Sequence, residues 1–190
     1  MKFWDSSAIV PLLIEERNSA SVGRLYARDA KMMVWWGTET ECAAALSRKQ
    51  FLASEAGRET IEQAFVRLAE LGKYWREIAP AADVRATARR VLRTHRLRAA
   101  DALQLGAALI ACGGRAETLE FVCADEELIG AARIEGFRIV EADVARQAIA
   151  GAYEIAARLG VIGSDRSAAP RTAATAKNRL RRSIRAKLRR

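Results

Sequence analysis

Histidine is almost missing from this chain, which has one, His95, in 190 residues. Histidine-based triads and zinc sites therefore have nothing to work with, and His95 reads as a surface or helix-end residue. Cysteine is scarce as well. Cys42, Cys112 and Cys123 lie far apart, are odd in number and match no zinc spacing, so they read as reduced, buried thiols of a cytoplasmic protein. No apolar run approaches the roughly 18 residues of a membrane span. Asp5, Glu15 and Glu16 interrupt the N-terminal apolar stretch, which argues against a signal peptide. A glycine-rich dinucleotide fingerprint and a phosphate-binding P-loop are both lacking, so nucleotide-cofactor readings have no support. The expectation is a soluble cytoplasmic chain without an internal repeat.

Apolar residues, by contrast, make up 51% of the sequence, enough for a sizeable core in one domain. Charge is unevenly placed. The formal excess is +9, and residues 164–190 hold ten Lys/Arg against one acid, Asp165. Residues 1–163 then carry 22 basic and 22 acidic side chains, so a neutral domain bears a basic arm. The division expected is a domain over 1–160 and a basic, flexible tail over 161–190.

Lys2 to Trp4 has the aromatic character of a short strand, and Asp5 stops it before a helix over Ser6–Leu13. A helix over 17–30 follows, with Val22, Leu25 and Tyr26 inward, then a strand over 31–36. Gly37-Thr38 breaks that strand. Helices over 38–53 (Ala43, Leu46, Phe51 buried) and 56–72 (Ile61, Phe65, Leu68, Leu71) come next. A third strand fits 75–78, closed by Pro80, before a helix over 81–95 with Val84, Ala88, Val91 and Leu92 inward. Residues 99–110 are apolar nearly all round, marking a central helix ended by Gly113-Gly114. A strand over 119–123, a helix over 125–135, a strand over 137–140 and a helix over 143–159 complete the series. Strands alternating with helices argue an α/β fold with helices on both faces of a parallel sheet.

Four acids fall at junctions of this pattern: Asp5, Glu41, Asp101 and Asp125. Each lies near the start of a helix, and three follow a strand, where open α/β sheets place their chemistry. Singly, each has a simpler account. Asp5, Asp101 and Asp125 suit helix caps, and Thr38 with Glu41 has the spacing of a capping box. Asp101 fits that account least, because Ala99, Ala100, Ala102 and Leu103 surround it and a buried carboxylate is costly unless paired. If the sheet brings these junctions to one edge, mutual repulsion raises their pKa values unless a divalent cation neutralises them. An all-oxygen site selects Mg²⁺ or Mn²⁺ over zinc and suits phosphodiester hydrolysis.

The segments that carry these acids also carry a resemblance. Residues 3–8 (FWDSSA), 35–46 (WWGTETECAAAL), 98–109 (RAADALQLGAAL) and 121–128 (FVCADEEL) are similar to the PIN-domain ribonucleases. The match is nearest to the VapC-like toxins of bacterial toxin–antitoxin pairs, and it spans about residues 2–140. It implies a PIN-like three-layer α/β/α fold around a parallel sheet of four to five short strands. It further implies a Mg²⁺-dependent endoribonuclease with Asp5, Glu41, Asp101 and Asp125 as catalytic and metal-binding acids. Asp125 matches the more variable fourth acid, and Ser7 a small hydroxyl that supports the first. Glu39 and Glu126 rank second. A cognate antitoxin that blocks the acidic pocket, and homodimerisation, belong to the same expectation.

The tail departs from that family. Residues 164–176 look like a flexible linker. Residues 177–190 place Leu180, Ile184 and Leu188 at spacing four among Lys177, Arg179, Arg181, Arg182, Arg185, Lys187, Arg189 and Arg190. This is either a disordered solubilising tail or an arm binding RNA phosphates. The alternative for the whole chain is a non-catalytic nucleic-acid- or partner-binding module that uses this arm, with the acids as caps only. A haloacid-dehalogenase-type phosphatase also begins with strand-Asp, but it needs a second Asp where Ser7 stands.

Overall fold

In the computed structural model, residues 1–141 are described. The helix expected over 143–159 and the tail 161–190 lie outside them. Five strands, β1 (Lys2–Trp4), β2 (Met32–Trp35), β3 (Arg76–Ile78), β4 (Glu120–Cys123) and β5 (Arg138–Glu141), form one sheet. Every pairing is parallel, in the order β3-β2-β1-β4-β5. Seven α-helices connect them among the described residues: α1 (Ser6–Leu13), α2 (Ser19–Arg28), α3 (Thr38–Leu52), α4 (Glu55–Gly72), α5 (Ala82–Thr94), α6 (Ala99–Ala111) and α7 (Glu126–Ile134). The fold is α/β with an all-parallel sheet, an arrangement compatible with three layers.

The central strands are covered on both faces, and β1 shows how. Phe3 and Trp4 are consecutive and so point to opposite faces, yet both are fully buried. Phe3 stacks on Phe121 at 5.4 Å between ring centroids. It shares a core with Met33, Trp35 and Cys123 and with residues of α5, α6 and α7 such as Val91, Leu105 and Leu128. Trp4, on the other face, meets Tyr26 of α2 edge-on at 6.4 Å.

Helix α6 is buried along most of its length, from Gln104 to Leu109 and at Ala102. Its close approach to α5 requires a residue without a side chain. A Cβ at Gly106 would stand 3.0 Å from the Ala88 backbone nitrogen and 3.1 Å from the Val84 carbonyl oxygen. Gly113 and Gly114 end the segment with φ of +60° and +77°, the left-handed region open to glycine.

Some side chains lie elsewhere than their spacing suggested. Phe51 is 87% exposed. The buried side of α3 runs through Thr38, Cys42 and Leu46, and at about 100° per residue Phe51 falls well off that stripe. Leu92 is 42% exposed, while Val84, Ala88 and Val91 form the inward stripe of α5. Ala43, Phe65 and Leu71 are half-buried. His95 sits at the end of α5, its ring 2.7 Å from Glu135, which also holds Arg90 through two hydrogen bonds. The three cysteines are free, and two of them, Cys42 and Cys123, are buried. No described helix is long and apolar enough to cross a membrane.

Candidate active site

The chain steps outward from β1 through β2 to β3, then returns past β1 to β4 and β5. The order reverses between β1 and β4, and the carboxyl ends of strands at such a switch point are where ligands bind in open α/β sheets. Asp5 follows β1 and Asp125 follows β4. The two strands are in register, Trp4 beside Val122, and the Asp5 amide continues the ladder to the Val122 carbonyl at 2.9 Å.

Asp5 is 3% exposed. It caps α1, because its Oδ2 accepts the Ser7 amide at 2.9 Å. The same oxygen takes the Ser7 hydroxyl and, at 3.6 Å, the Cys123 thiol. Ser7 is itself held, since its Oγ accepts the Ala124 amide at 3.0 Å. All these donors converge on Oδ2 and none on Oδ1. Burial pushes the Asp5 carboxyl up to about 6, the Ser7 bonds oppose this, and the charges of Glu41 and Asp101 add to it. Burial, with the Asp5 charge second, also raises the thiols of Cys42 and Cys123.

Glu41 does not close a capping box with Thr38, because α3 starts after Gly37 without a side-chain cap. Its Oε2 instead accepts the Ser6 hydroxyl at 2.8 Å and the Gln104 amide at 2.9 Å. Gln104 is fully buried in α6, and its Nε2 also reaches the buried Thr38 hydroxyl at 3.2 Å. Among the described residues no donor reaches Oε1 of Glu41. Glu41 thus shows the pattern of Asp5, one oxygen fixed and one open.

Asp101 lies in the first turn of α6 without being its N-cap. Burial raises its pKa first and the Asp125 charge second, against a backbone hydrogen bond and the charge of Arg98. Asp125 caps α7 through Oδ1, which accepts the Leu128 amide at 2.9 Å. Its own amide donates to the Cys123 sulfur at 3.3 Å.

The four junction acids are therefore coupled as a chain of charges, Glu41 to Asp5, Asp5 to Asp101, and Asp101 to Asp125. Among the described residues, no three Asp, Glu, His or Cys side chains are gathered into a ready-made metal-binding group. The donor chemistry nonetheless fits a hard divalent cation, being all carboxylate oxygen. A fixed oxygen beside an open one is how supporting hydrogen bonds orient a ligand carboxylate. Glu39 and Glu126 are exposed on the first turns of α3 and α7. The charge of the neighbouring Glu127 also raises Asp101.

Sequence reasoning missed Ser6, Gln104 and Cys123, the groups that hold the acids. One signal was available. Gln104 is one turn from Asp101, and these are the only polar side chains in the apolar α6 segment. The tail residues 177–190 lie outside the described residues. No protein-family model and no curated protein matches the chain.

Proposed function

We propose that this chain is a metal-dependent endoribonuclease with a PIN-like fold, acting as the toxin of a toxin–antitoxin pair. The observation that supports it best is the shared state of Asp5 and Glu41 beside the carboxyl ends of β1 and β4. Among the described residues, each has one oxygen tethered by donors and the other without one. In this reading Asp5, Glu41, Asp101 and Asp125 hold Mg²⁺ or Mn²⁺. Such an ion supplies Lewis acidity at the phosphodiester and a water made nucleophilic at neutral pH.

The chain's own part is positioning and charge. Ser7 and the Cys123 thiol aim Asp5, and Ser6 and Gln104 aim Glu41, so both side chains are ordered before RNA arrives. With Asp5 held up near 6, it is mostly ionised at neutral pH and can accept a cation without first losing a proton. In the cell, cytoplasmic by this reading, a small antitoxin would offset the same carboxylates with a basic side chain. The family resemblance also brings homodimerisation into the proposal.

Purified protein incubated with a cellular RNA pool, with Mg²⁺ or with EDTA, tests the reading beside Asp5→Asn and Asp101→Asn. Cleavage that needs metal and is lost in both folded variants supports it. RNA left intact at every metal concentration, with no copurifying antitoxin, sinks it. A second reading has its own support, since Asp5 and Asp125 do cap their helices. In a non-catalytic binding module these acids are caps alone, and their loss costs about 1 kcal/mol each with no loss of function.

A further inference from the structure

The domain is close to neutral in sequence, but its charge is sorted. Helix α5 carries Arg85, Arg89, Arg90 and Arg93 against one acid, Asp83, whose Oδ1 is occupied by the Val84 amide. Its buried stripe is Val84, Ala88 and Val91. Arg85, Arg89 and Arg93 stand on the opposite side at spacing four, and all three are exposed. They form a row about 12 Å long at 1.5 Å per residue. Arg90 alone turns aside, into its two bonds with Glu135. Among the described residues the other three make no ion pair, and neither do Arg96 and Arg98, both exposed in the segment that leads into α6. That segment ends at Asp101, whose carboxylate feels the charge of Arg98.

We propose that the Arg85–Arg89–Arg93 face of α5, continued by Arg96 and Arg98, binds the sugar–phosphate backbone of single-stranded RNA and leads it to the acidic site. The proposal rests on the ribonuclease reading and gives that site a substrate class: RNA long enough to lie along α5, held by its backbone and not by its bases. Three features favour a polyanion over an acidic protein. The row is linear, it is open to solvent, and it ends at the acids. Arginine also suits phosphate, because its planar fork pairs two donors with two oxygens. Unpaired arginines in a row lose no existing ion pair when phosphates arrive.

The test is the affinity of the full chain for a labelled single-stranded RNA oligonucleotide, read by fluorescence anisotropy in EDTA across a salt series. Three proteins are compared: the unaltered chain, the combined Arg85→Gln, Arg89→Gln and Arg93→Gln variant, and a chain with the eight basic residues of 177–190 changed to Gln. The α5 variant is expected to bind about tenfold or more weakly. Its slope of log affinity against log salt should be shallower by about 2, roughly 0.7 for each lost phosphate contact. An unchanged slope and affinity in the α5 variant, with binding abolished in the tail variant, would overturn the proposal. That result would leave RNA to the tail and the α5 face to an acidic protein. No binding by the unaltered chain at low salt would overturn it too. Because EDTA removes catalysis, a chain that binds with the full slope yet never cuts RNA sinks the ribonuclease reading while the RNA-binding face stands. Exposed substitutions leave the core intact, which a matching thermal melt checks.

Discussion

Gln104, sealed in the middle of α6, donates its side-chain amide to Oε2 of Glu41 across 2.9 Å. A buried amide in a helix whose one other polar side chain is Asp101 is costly unless satisfied, and among the described residues its hydrogen bonds run to Glu41 and Thr38. The tether is therefore expected to serve the carboxylate more than the core. Gln104→Leu should cost about 1–2 kcal/mol of stability and lower RNA cleavage or Mn²⁺ affinity about 10- to 100-fold. Activity equal to that of the unaltered chain, in a variant that melts normally, would mean that Glu41 needs no orientation.

Asp5 ties stability to pH in the direction opposite to an ordinary ion-paired carboxylate. Burial first, then the charges of Glu41 and Asp101, raise it from 3.8 to about 6. Between those values the folded state keeps a proton that the unfolded chain has released. Metal-free protein should thus lose stability as pH rises through this window, on the order of 2–3 kcal/mol in all. Asp5→Asn should remove most of that slope. At neutral pH, Mg²⁺ should raise the melting temperature of the unaltered chain and not of the variant. Melts of both proteins on either side of the window, in EDTA and in Mg²⁺, check this. Parallel pH dependence in the two would exclude Asp5 as the titrating group.

Much of this arrangement was legible because it is local. Two adjacent aromatics followed by Asp5 mark the end of β1, and the all-round apolar run of 99–110 marks α6 as central. Asp5 and Asp125 could be placed beyond strand ends for the same reason. Which carboxylate each tether holds could not be read, since Ser6, Gln104 and Cys123 reach their partners across separations of 35, 63 and 118 residues. No local periodicity encodes such pairings. Phe51 failed for a different reason. Its hydrophobicity suggested burial, but the inward stripe of α3 had already been taken by Thr38, Cys42 and Leu46.

Glu135 is expected to act as a clamp between α7 and the end of α5. Its carboxyl is held below the usual range, first by the two Arg90 bonds and then by His95 at 2.7 Å. A depressed carboxylate stabilises above its unfolded pKa and loses that contribution as pH falls through its folded value. Glu135→Gln should cost about 1–2 kcal/mol at neutral pH, discounted because Arg90 is half exposed. The gap to the unaltered chain should close in acid below the folded value. Chemical denaturation at neutral and acid pH measures it, and a gap that persists in acid would mean lost packing and not lost charge.

Gly106 sets how closely α5, with its arginine row, can lie against α6, which carries Asp101. In Gly106→Ala the new methyl would meet the Ala88 amide nitrogen at 3.0 Å and the Val84 carbonyl oxygen at 3.1 Å. Both are backbone atoms, so neither can swing aside, and the two helices must separate instead. Removing a helical glycine would by itself favour folding by up to about 1 kcal/mol, but overpacking should prevail, for a net loss of about 1–2 kcal/mol. The same separation would move Arg96 and Arg98 relative to Asp101, so RNA affinity should fall along with stability. A variant as stable as the unaltered chain would show that the α5–α6 contact yields more easily than these distances imply. A stable fold with weakened RNA binding would assign Gly106 to the alignment of the arginine row with the acids.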